Sequence, residues 1–124
     1  MTETITTIAQ VGCGYWGPNV LRNFSAQPGC WVKFVVEISP ERQAYVRANF
    51  PKSQVVSDLD SVLKDPEIDA VIISTPASSH FELAKQVLES GKHAFVEKPL
   101  ATSTEQADEL VALAAKTGKT LMAG

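Results

Sequence analysis

Residues 8–24, IAQVGCGYWGPNVLRNF, place Gly12, Gly14 and Gly17 in G-x-G-x-x-G spacing where an apolar run passes into a helical pattern. No other feature limits the fold as tightly. A strand must end there in a tight turn and feed at once into a helix packed close upon it. Gly12 permits the turn, Gly14 lets backbone approach an anion, and Gly17 lets the helix lie against the strand. The unpaired N–H groups and the dipole of the helix start then favour a negatively charged ligand such as a pyrophosphate. Cys13, Tyr15 and Trp16 serve that ligand mainly through backbone N–H groups, and the two aromatics are expected to border a cofactor or a second domain. Glycines also gather at ordinary strand-to-helix bends, so the rest of the chain has to decide between the two.

Apolar, β-branched segments recur at 5–11, 31–37, 54–57, 69–75, 93–96 and 120–123. Several are nearly continuous in apolar character, which suits strands covered on both faces. Helical patterns separate them. The first opens at GPN, with Pro18 in the first turn and Val20, Leu21 and Phe24 on one side. The second opens at SPER, with Ser39 as N-cap. A short third spans about 58–64, with Ser57 placed three before Asp60. The fourth begins at SSHFE with capping-box spacing from Ser79 to Glu82 and ends at Gly91. The fifth begins at TSTE with the same spacing from Thr102 to Glu105 and stops at Gly118. Six strands alternating with five helices predict a doubly wound α/β domain over residues 1–124, with parallel strands, right-handed crossovers and helices on both faces. Ligands of such sheets bind beyond the carboxyl ends of the strands.

Charge and composition exclude several function classes. A net charge of −3, with lysines and arginines scattered along 124 residues, does not suit a nucleic-acid binder. Every apolar run is broken by a charge, Lys33 and Asp69 among them, so no membrane span is expected. The start, MTETITT, lacks the basic and apolar stretches of a secretory signal. Two cysteines, Cys13 and Cys30, do not make a disulfide framework, and a reducing cytoplasm is the expected compartment. No His, Cys or carboxylate spacing matches a metal site. Ser78 and Ser79 lack a nucleophile-elbow context, and His93, which opens a strand, is expected to be structural.

Twenty residues after Gly17, at the end of the second strand, stands Glu37. A carboxylate there accepts hydrogen bonds from the ribose hydroxyls of an adenosine, and its charge repels a 2′-phosphate, so NAD is expected ahead of NADP. Ser39 and Arg42 temper that preference, because they accommodate a phosphate if Glu37 turns away. The remaining strand ends carry STPASSH at 74–80 and EKPL at 97–100.

With these four elements in this order, the chain resembles the Gfo/Idh/MocA oxidoreductases across essentially its whole length; EKP following GKHAFV is the most specific part. The resemblance implies a Rossmann fold and a cofactor, NAD or NADP, contacted by the turn of Gly12, Gly14, Tyr15, Trp16 and Gly17, by Glu37 and Ser39, and by Ser74, Thr75 and Pro76 between pyrophosphate and nicotinamide. It places His80 near that cofactor, although a histidine in a first helical turn equally suits a neutral, locally bonded role. It puts Glu97 beside the nicotinamide ribose, gives Lys98 a catalytic contact with the substrate hydroxyl, and has Pro99 fix the turn, often through a cis peptide. An ammonium beside a hydroxyl under oxidation stabilises developing alkoxide charge, and Glu97 next to it favours the charged form.

The resemblance further implies hydride transfer between NAD(P) and a sugar or polyol hydroxyl. The wording GCGYWGPN looks most like members acting on sugar nucleotides. Family members continue to about twice this length, into a substrate domain with a general-base histidine and, in the full-length context, homo-oligomers. This chain therefore reads as the cofactor domain without its substrate domain, inactive alone because hydride transfer needs the substrate held against the nicotinamide. Two other classes share the glycine turn: a dinucleotide-sensing regulatory domain, which has no need of the EKP lysine, and an S-adenosylmethionine-dependent transferase.

Overall fold

The computed structural model describes residues 5–13 and 17–124. Gly14, Tyr15 and Trp16 lie outside the described residues. The chain runs β1 (Thr6–Val11), α1 (Gly17–Ser25), β2 (Cys30–Val36), α2 (Pro40–Asn49), β3 (Gln54–Val56), α3 (Asp60–Leu63), β4 (Ala70–Ile73), α4 (His80–Glu89), β5 (His93–Val96), α5 (Thr104–Thr117) and β6 (Leu121–Ala123). The six strands form one sheet in the order β3-β2-β1-β4-β5-β6, and every pair is parallel. This is the doubly wound architecture, with the strand order reversing between β1 and β4. The carboxyl ends of those two strands carry the glycine turn and Ser74-Thr75-Pro76.

Each face of the sheet has its own core. Ala9, Val11, Val71, Ile73, Ala94 and Val96 point to α3, α4 and α5, where Val62, Ala84, Val87, Leu88, Leu110 and Ala114 meet them. Ile8, Val32, Val35 and Ile72 point the other way, to Leu21 of α1 and Val46 of α2. Leu21, Val46, Leu88 and Leu110 are fully buried, each contributing roughly 1.5–3 kcal/mol of apolar transfer free energy. The alternation breaks once. Ile8 pairs with Val32 but Ala9 pairs with Phe34, so Lys33 is an extra residue in β2 and the face of the strand switches beyond it.

Lys33 uses that freedom. Its ammonium lies 2.5 Å from Asp65 and 2.8 Å from Glu67, both in the segment before β4. Lys92, only 4% exposed, donates from its Nζ to the carbonyl oxygens of Asp65 and Ile68. Burial pushes its ammonium below the usual lysine range, against the opposing pull of Asp65 and Asp69. These polar ties fasten the amino ends of β2, β4 and β5, the end of the sheet away from the glycine turn.

The helix starts depart from the expected caps. Ser39 caps α2 through the Arg42 N–H at 3.5 Å, and Gly118 closes α5 in the left-handed conformation with φ of 69°. At α5, however, the cap is Ser103, accepting from the Gln106 N–H, while Thr102 turns to the Gln106 side chain. At α4 a short 3-10 turn over Ala77–Ser79 precedes the helix; Ser79 stands at the expected N-cap position, but its side chain makes no capping bond. Its hydroxyl instead meets Thr75 Oγ1 at 2.6 Å and donates to the Pro76 carbonyl. At α3 the local carboxylate is Asp58, which accepts from the Ser61 N–H, rather than Ser57. Capping-box spacing is short enough to recur by shifting one residue, and the tertiary surroundings choose the shift.

On the sheet face that carries α1 and α2, α1 reaches as far as β5 through Phe24. Phe95 is half-buried there with Phe24 edge-on at 6.0 Å, and Met122 is exposed. Among the described residues no helix is long and apolar enough to cross a membrane.

The bond between Lys33 and Asp65 generates an acid-sensitive increment of stability. The lysine holds the Asp65 carboxyl below its ordinary value of 3.8. A depressed carboxyl contributes stability that is complete above the unfolded value and disappears as pH falls through the folded one. Asp65→Asn is therefore expected to lower the melting temperature at pH 7, and the gap from the parent protein should close as pH falls below about 4. A gap of constant size across that range would show that the pair adds nothing.

Candidate functional site

The glycine turn begins where β1 ends. The Gly12 N–H donates to the Val36 carbonyl at 2.8 Å, and Gly12 has a φ of +87°, a conformation that favours glycine. A Cβ at this position would lie 2.7 Å from the Ser74 carbonyl oxygen and 2.8 Å from Thr75 Cγ2. Both the dihedral and the space thus require glycine. The end of β1 and the end of β4 are pressed together at the switch point of the sheet, leaving a cradle that any side chain would fill. At Gly17 a Cβ would meet the Gly12 carbonyl oxygen at 3.3 Å and Gln10 Nε2 at 3.4 Å.

Gln10 is a residue that the motif gives no reason to notice. Fully buried in β1, it donates from Nε2 to the carbonyl oxygens of Gly12 and Gly17, both at 3.0 Å. One amide therefore holds the first and last glycines of the turn. Its Oε1 has no partner among the described residues, and an orphaned buried acceptor costs about 1–3 kcal/mol. The sequence signal available was the glutamine among the apolar residues of IAQV, two positions before Gly12.

Glu37 follows β2 and is 8% exposed. Its Oε1 accepts the Cys13 N–H at 2.9 Å, and Oε2 accepts the Ile38 and Ser39 N–H groups at 2.8 and 2.9 Å. The Cys13 N–H, expected to face the ligand, is thus committed to Glu37. Arg42 reaches across from α2 and donates to the Cys13 carbonyl at 2.8 Å, and Gln43 donates to the Glu37 carbonyl. Cys13 itself is 1% exposed; burial first, and then the Glu37 charge, push its thiol above the ordinary range, while Arg42 opposes them. A buried thiol with a raised pKa is not a nucleophile.

At the other strand ends two segments are tied together twice. Ser74 is buried, and its hydroxyl donates to Glu97 Oε1 at 3.0 Å. His80, 2% exposed at the start of α4, places Nε2 2.7 Å from the Thr75 carbonyl and Nδ1 2.6 Å from the Pro99 carbonyl. Both partners are acceptors, so a neutral ring serves only one of them with its single N–H. His80 thus clamps the Ser74–Pro76 segment to the EKP segment from behind. Lys98 is exposed, makes no ion pair among the described residues, and precedes Pro99 through a cis peptide. A cavity of about 490 Å³ opens beside it, lined by Asn19, Val20, Asn23, Phe24, Phe95, Glu97, Lys98 and Gly124. Glycine turn, Glu37, Ser39, Ser74, Thr75, Pro76, Glu97 and Lys98 all fall at the carboxyl edge of the sheet, whereas His93 opens β5 at the opposite edge and accepts the Thr120 N–H.

Comparison with known proteins bears on this edge. The Gfo/Idh/MocA family model, described as an oxidoreductase family with an NAD-binding Rossmann fold, matches residues 6–124. Inositol 2-dehydrogenase of Rhodococcus jostii is 33% identical over 116 residues, covering 93% of this chain and 32% of that protein. Among solved structures, GenD2 from gentamicin A biosynthesis, in complex with NAD, superposes with a TM-score of 0.92 at 31% identity, over 98% of this chain and 34% of that one. KijD10, a 3-ketoreductase from Actinomadura kijaniata in complex with NADP and TDP-benzene, gives 0.90 at 28% identity over 98% and 37%. The chain spans about a fifth to a little over a third of the length of the curated relatives it matches.

The contact of Gly12 with Ser74 generates a direct prediction. Gly12→Ala adds a methyl group against a backbone carbonyl and forces an unfavourable φ, and is expected to destabilise the chain by about 2–4 kcal/mol in urea unfolding. A loss below about 0.5 kcal/mol would show that the turn moves freely away from Ser74.

Proposed function

The chain belongs to the Gfo/Idh/MocA oxidoreductase family, and from that premise we propose that it is the nicotinamide-dinucleotide-binding part of an enzyme moving hydride between NAD(P) and a hydroxyl of a sugar or polyol. The observation that carries this reading is the bond to Glu97 from Ser74, whose carbonyl faces Gly12, which ties that segment to the EKP segment with its exposed Lys98. A sensor or a methyl-transfer domain has no use for that lysine.

The cradle fits a dinucleotide: Gly12, where a Cβ would collide with the Ser74 carbonyl oxygen, leaves backbone against backbone, and a helix start favours a pyrophosphate. In this reading Gly12, Gly14, Tyr15, Trp16 and Gly17 hold the pyrophosphate region, and Glu37 and Ser39 the adenosine end. Ser74, Thr75 and Pro76 line the path to the nicotinamide, with Glu97 and Lys98 at its far end. When bound, the nicotinamide accepts or returns a hydride at the substrate carbon. Lys98 steadies the negative charge on the substrate oxygen, and Glu97 beside it is held by Ser74. His80 holds the two segments in register and is a positioning residue.

The match to inositol 2-dehydrogenase supports a polyol or sugar substrate, and the TDP-benzene bound to KijD10 supports the narrower case of a nucleotide-linked sugar. The sheet face beyond α1, at β6 with its exposed Met122, is where we place the substrate domain. In the full-length context the enzyme is proposed to form a homo-oligomer.

Calorimetric titration with NAD, NADP and S-adenosylmethionine tests the class: at least one dinucleotide should bind, and binding of S-adenosylmethionine alone would refute the reading. In the full-length enzyme Lys98→Ala should lower kcat by about 100-fold or more, the scale of a lost charge contact in the transition state, with dinucleotide affinity nearly unchanged. Unaltered turnover would make Lys98 a surface residue.

A further inference from the structure

The glycine turn carries a brace that lies outside the G-x-G-x-x-G spacing. Resting on the dinucleotide reading above, we propose that Gln10 is a positioning residue for the ligand: its amide pins the two ends of the turn at one point before the dinucleotide arrives, and it serves affinity rather than the stability of the fold.

Gln10 shares a face of β1 with Ile8, the face that carries α1, and its side chain is fully buried. A carboxamide nitrogen has two N–H donors. At Gln10 both are spent on the turn, on the carbonyl oxygens of Gly12 and Gly17, each at 3.0 Å. Exchanging nitrogen and oxygen would set Oε1 against those same two acceptors, so the geometry fixes which way the amide faces. The two glycines are already close, since a Cβ on Gly17 would stand 3.3 Å from the Gly12 oxygen. The end of β1 and the start of α1 therefore meet at a gap that one side chain closes.

Gln10 also sets a peptide plane. The Gly12 carbonyl and the Cys13 N–H belong to one rigid trans peptide and point in opposite directions. Gln10 holds the carbonyl, and Glu37, from beyond β2, holds the N–H at 2.9 Å. The plane cannot rotate without breaking one of these bonds. Arg42 fixes the next carbonyl, that of Cys13. A loop whose peptides are set beforehand spares the ordering cost of binding.

The fold itself gains little from this amide. Its face of the sheet is lined by Ile8, Leu21, Val32, Val35 and Ile72, and a carboxamide buried in such company gives up its hydration. An apolar side chain of the same length suits that core, and α1 keeps its own ladder of hydrogen bonds. The EKP segment is held separately through Ser74 and His80, so the far end of the site does not depend on Gln10.

Gln10→Met keeps the length of the side chain and removes both donors. Calorimetry on the 124-residue chain is expected to show NAD weakened by about tenfold or more, the size of one or two lost hydrogen bonds. The melting temperature should stay within about 4 °C of the parent's, and a larger drop would return Gln10 to a structural role. A thiol reagent reads the turn in the absence of ligand. Cys13, 1% exposed, sits in the pinned peptide, and the half-buried Cys30 at the amino end of β2 is the internal reference. Labelling of Cys13 should accelerate by about tenfold or more as the turn opens locally, with Cys30 unchanged. An NAD affinity within about threefold of the parent's, or a Cys13 rate that does not rise, overturns the inference and leaves the dinucleotide reading standing. Failure of the parent chain to bind NAD or NADP overturns both together. If the methionine variant does not fold, Gln10→Leu must show the same loss of affinity and the same faster labelling, and the inference fails if it does not.

Discussion

Backbone meets backbone where Gly12 faces Ser74, and the rest of the functional edge depends on that approach. With any side chain at residue 12, the ends of β1 and β4 would have to part by more than their hydrogen bonds tolerate, since the Ser74 N–H is itself bonded to the Val11 carbonyl. Because the two strand ends stay together, Ser74 is buried and oriented, its hydroxyl finds Glu97, and the EKP segment is drawn to the same place. The left-handed φ at Gly12 also lets the turn reach back to β2 through the Val36 carbonyl. Three strands thus converge on one glycine.

The site is built mainly from side chains that bond to backbone. Gln10 holds two carbonyls of the turn, Glu37 holds three amides around it, Arg42 holds the Cys13 carbonyl, and His80 lies between the carbonyls of Thr75 and Pro99. Buried polar groups are costly unless paired, so each of these contacts fixes a loop that apolar packing alone would leave free to shift. The result is a preorganised carboxyl edge on a sheet whose opposite edge is fastened independently by Lys33, Lys92 and Asp65. Such rigidity suits a ligand that must be held at both ends while chemistry occurs at one of them.

The order of strands and helices, the parallel sheet, the two-sided core and the chain positions of the glycine turn, Glu37, STPASSH and EKP are all legible from residue types and spacing. They follow from local rules: apolar periodicity, glycine at strand ends, and a crossover with one allowed hand. Strand bounds agree to within a residue or two, and residues 93–96 coincide with β5. Ser79 keeps the N-cap position without a capping bond because its hydroxyl is engaged by Thr75 and Pro76, whereas the α5 cap falls at Ser103 while Thr102 bonds the Gln106 side chain. The register break at Lys33 left no trace in an apolar segment that reads the same on either face.

Sequence alone therefore determined the class of fold and the edge of the sheet where we propose that a ligand binds, because both depend on backbone freedom and periodic burial written locally; the family followed from the resemblance of the motifs. Only tertiary structure decided which groups at that edge remain available. Glu37 at the end of β2 was predictable as a carboxylate in the right place. Its three bonds from backbone amides, and the hold of Arg42 on the Cys13 carbonyl, were not. Hydrogen-bond capacity is shared among neighbours brought together by the fold, and a sequence names the donors and acceptors without saying how they are spent.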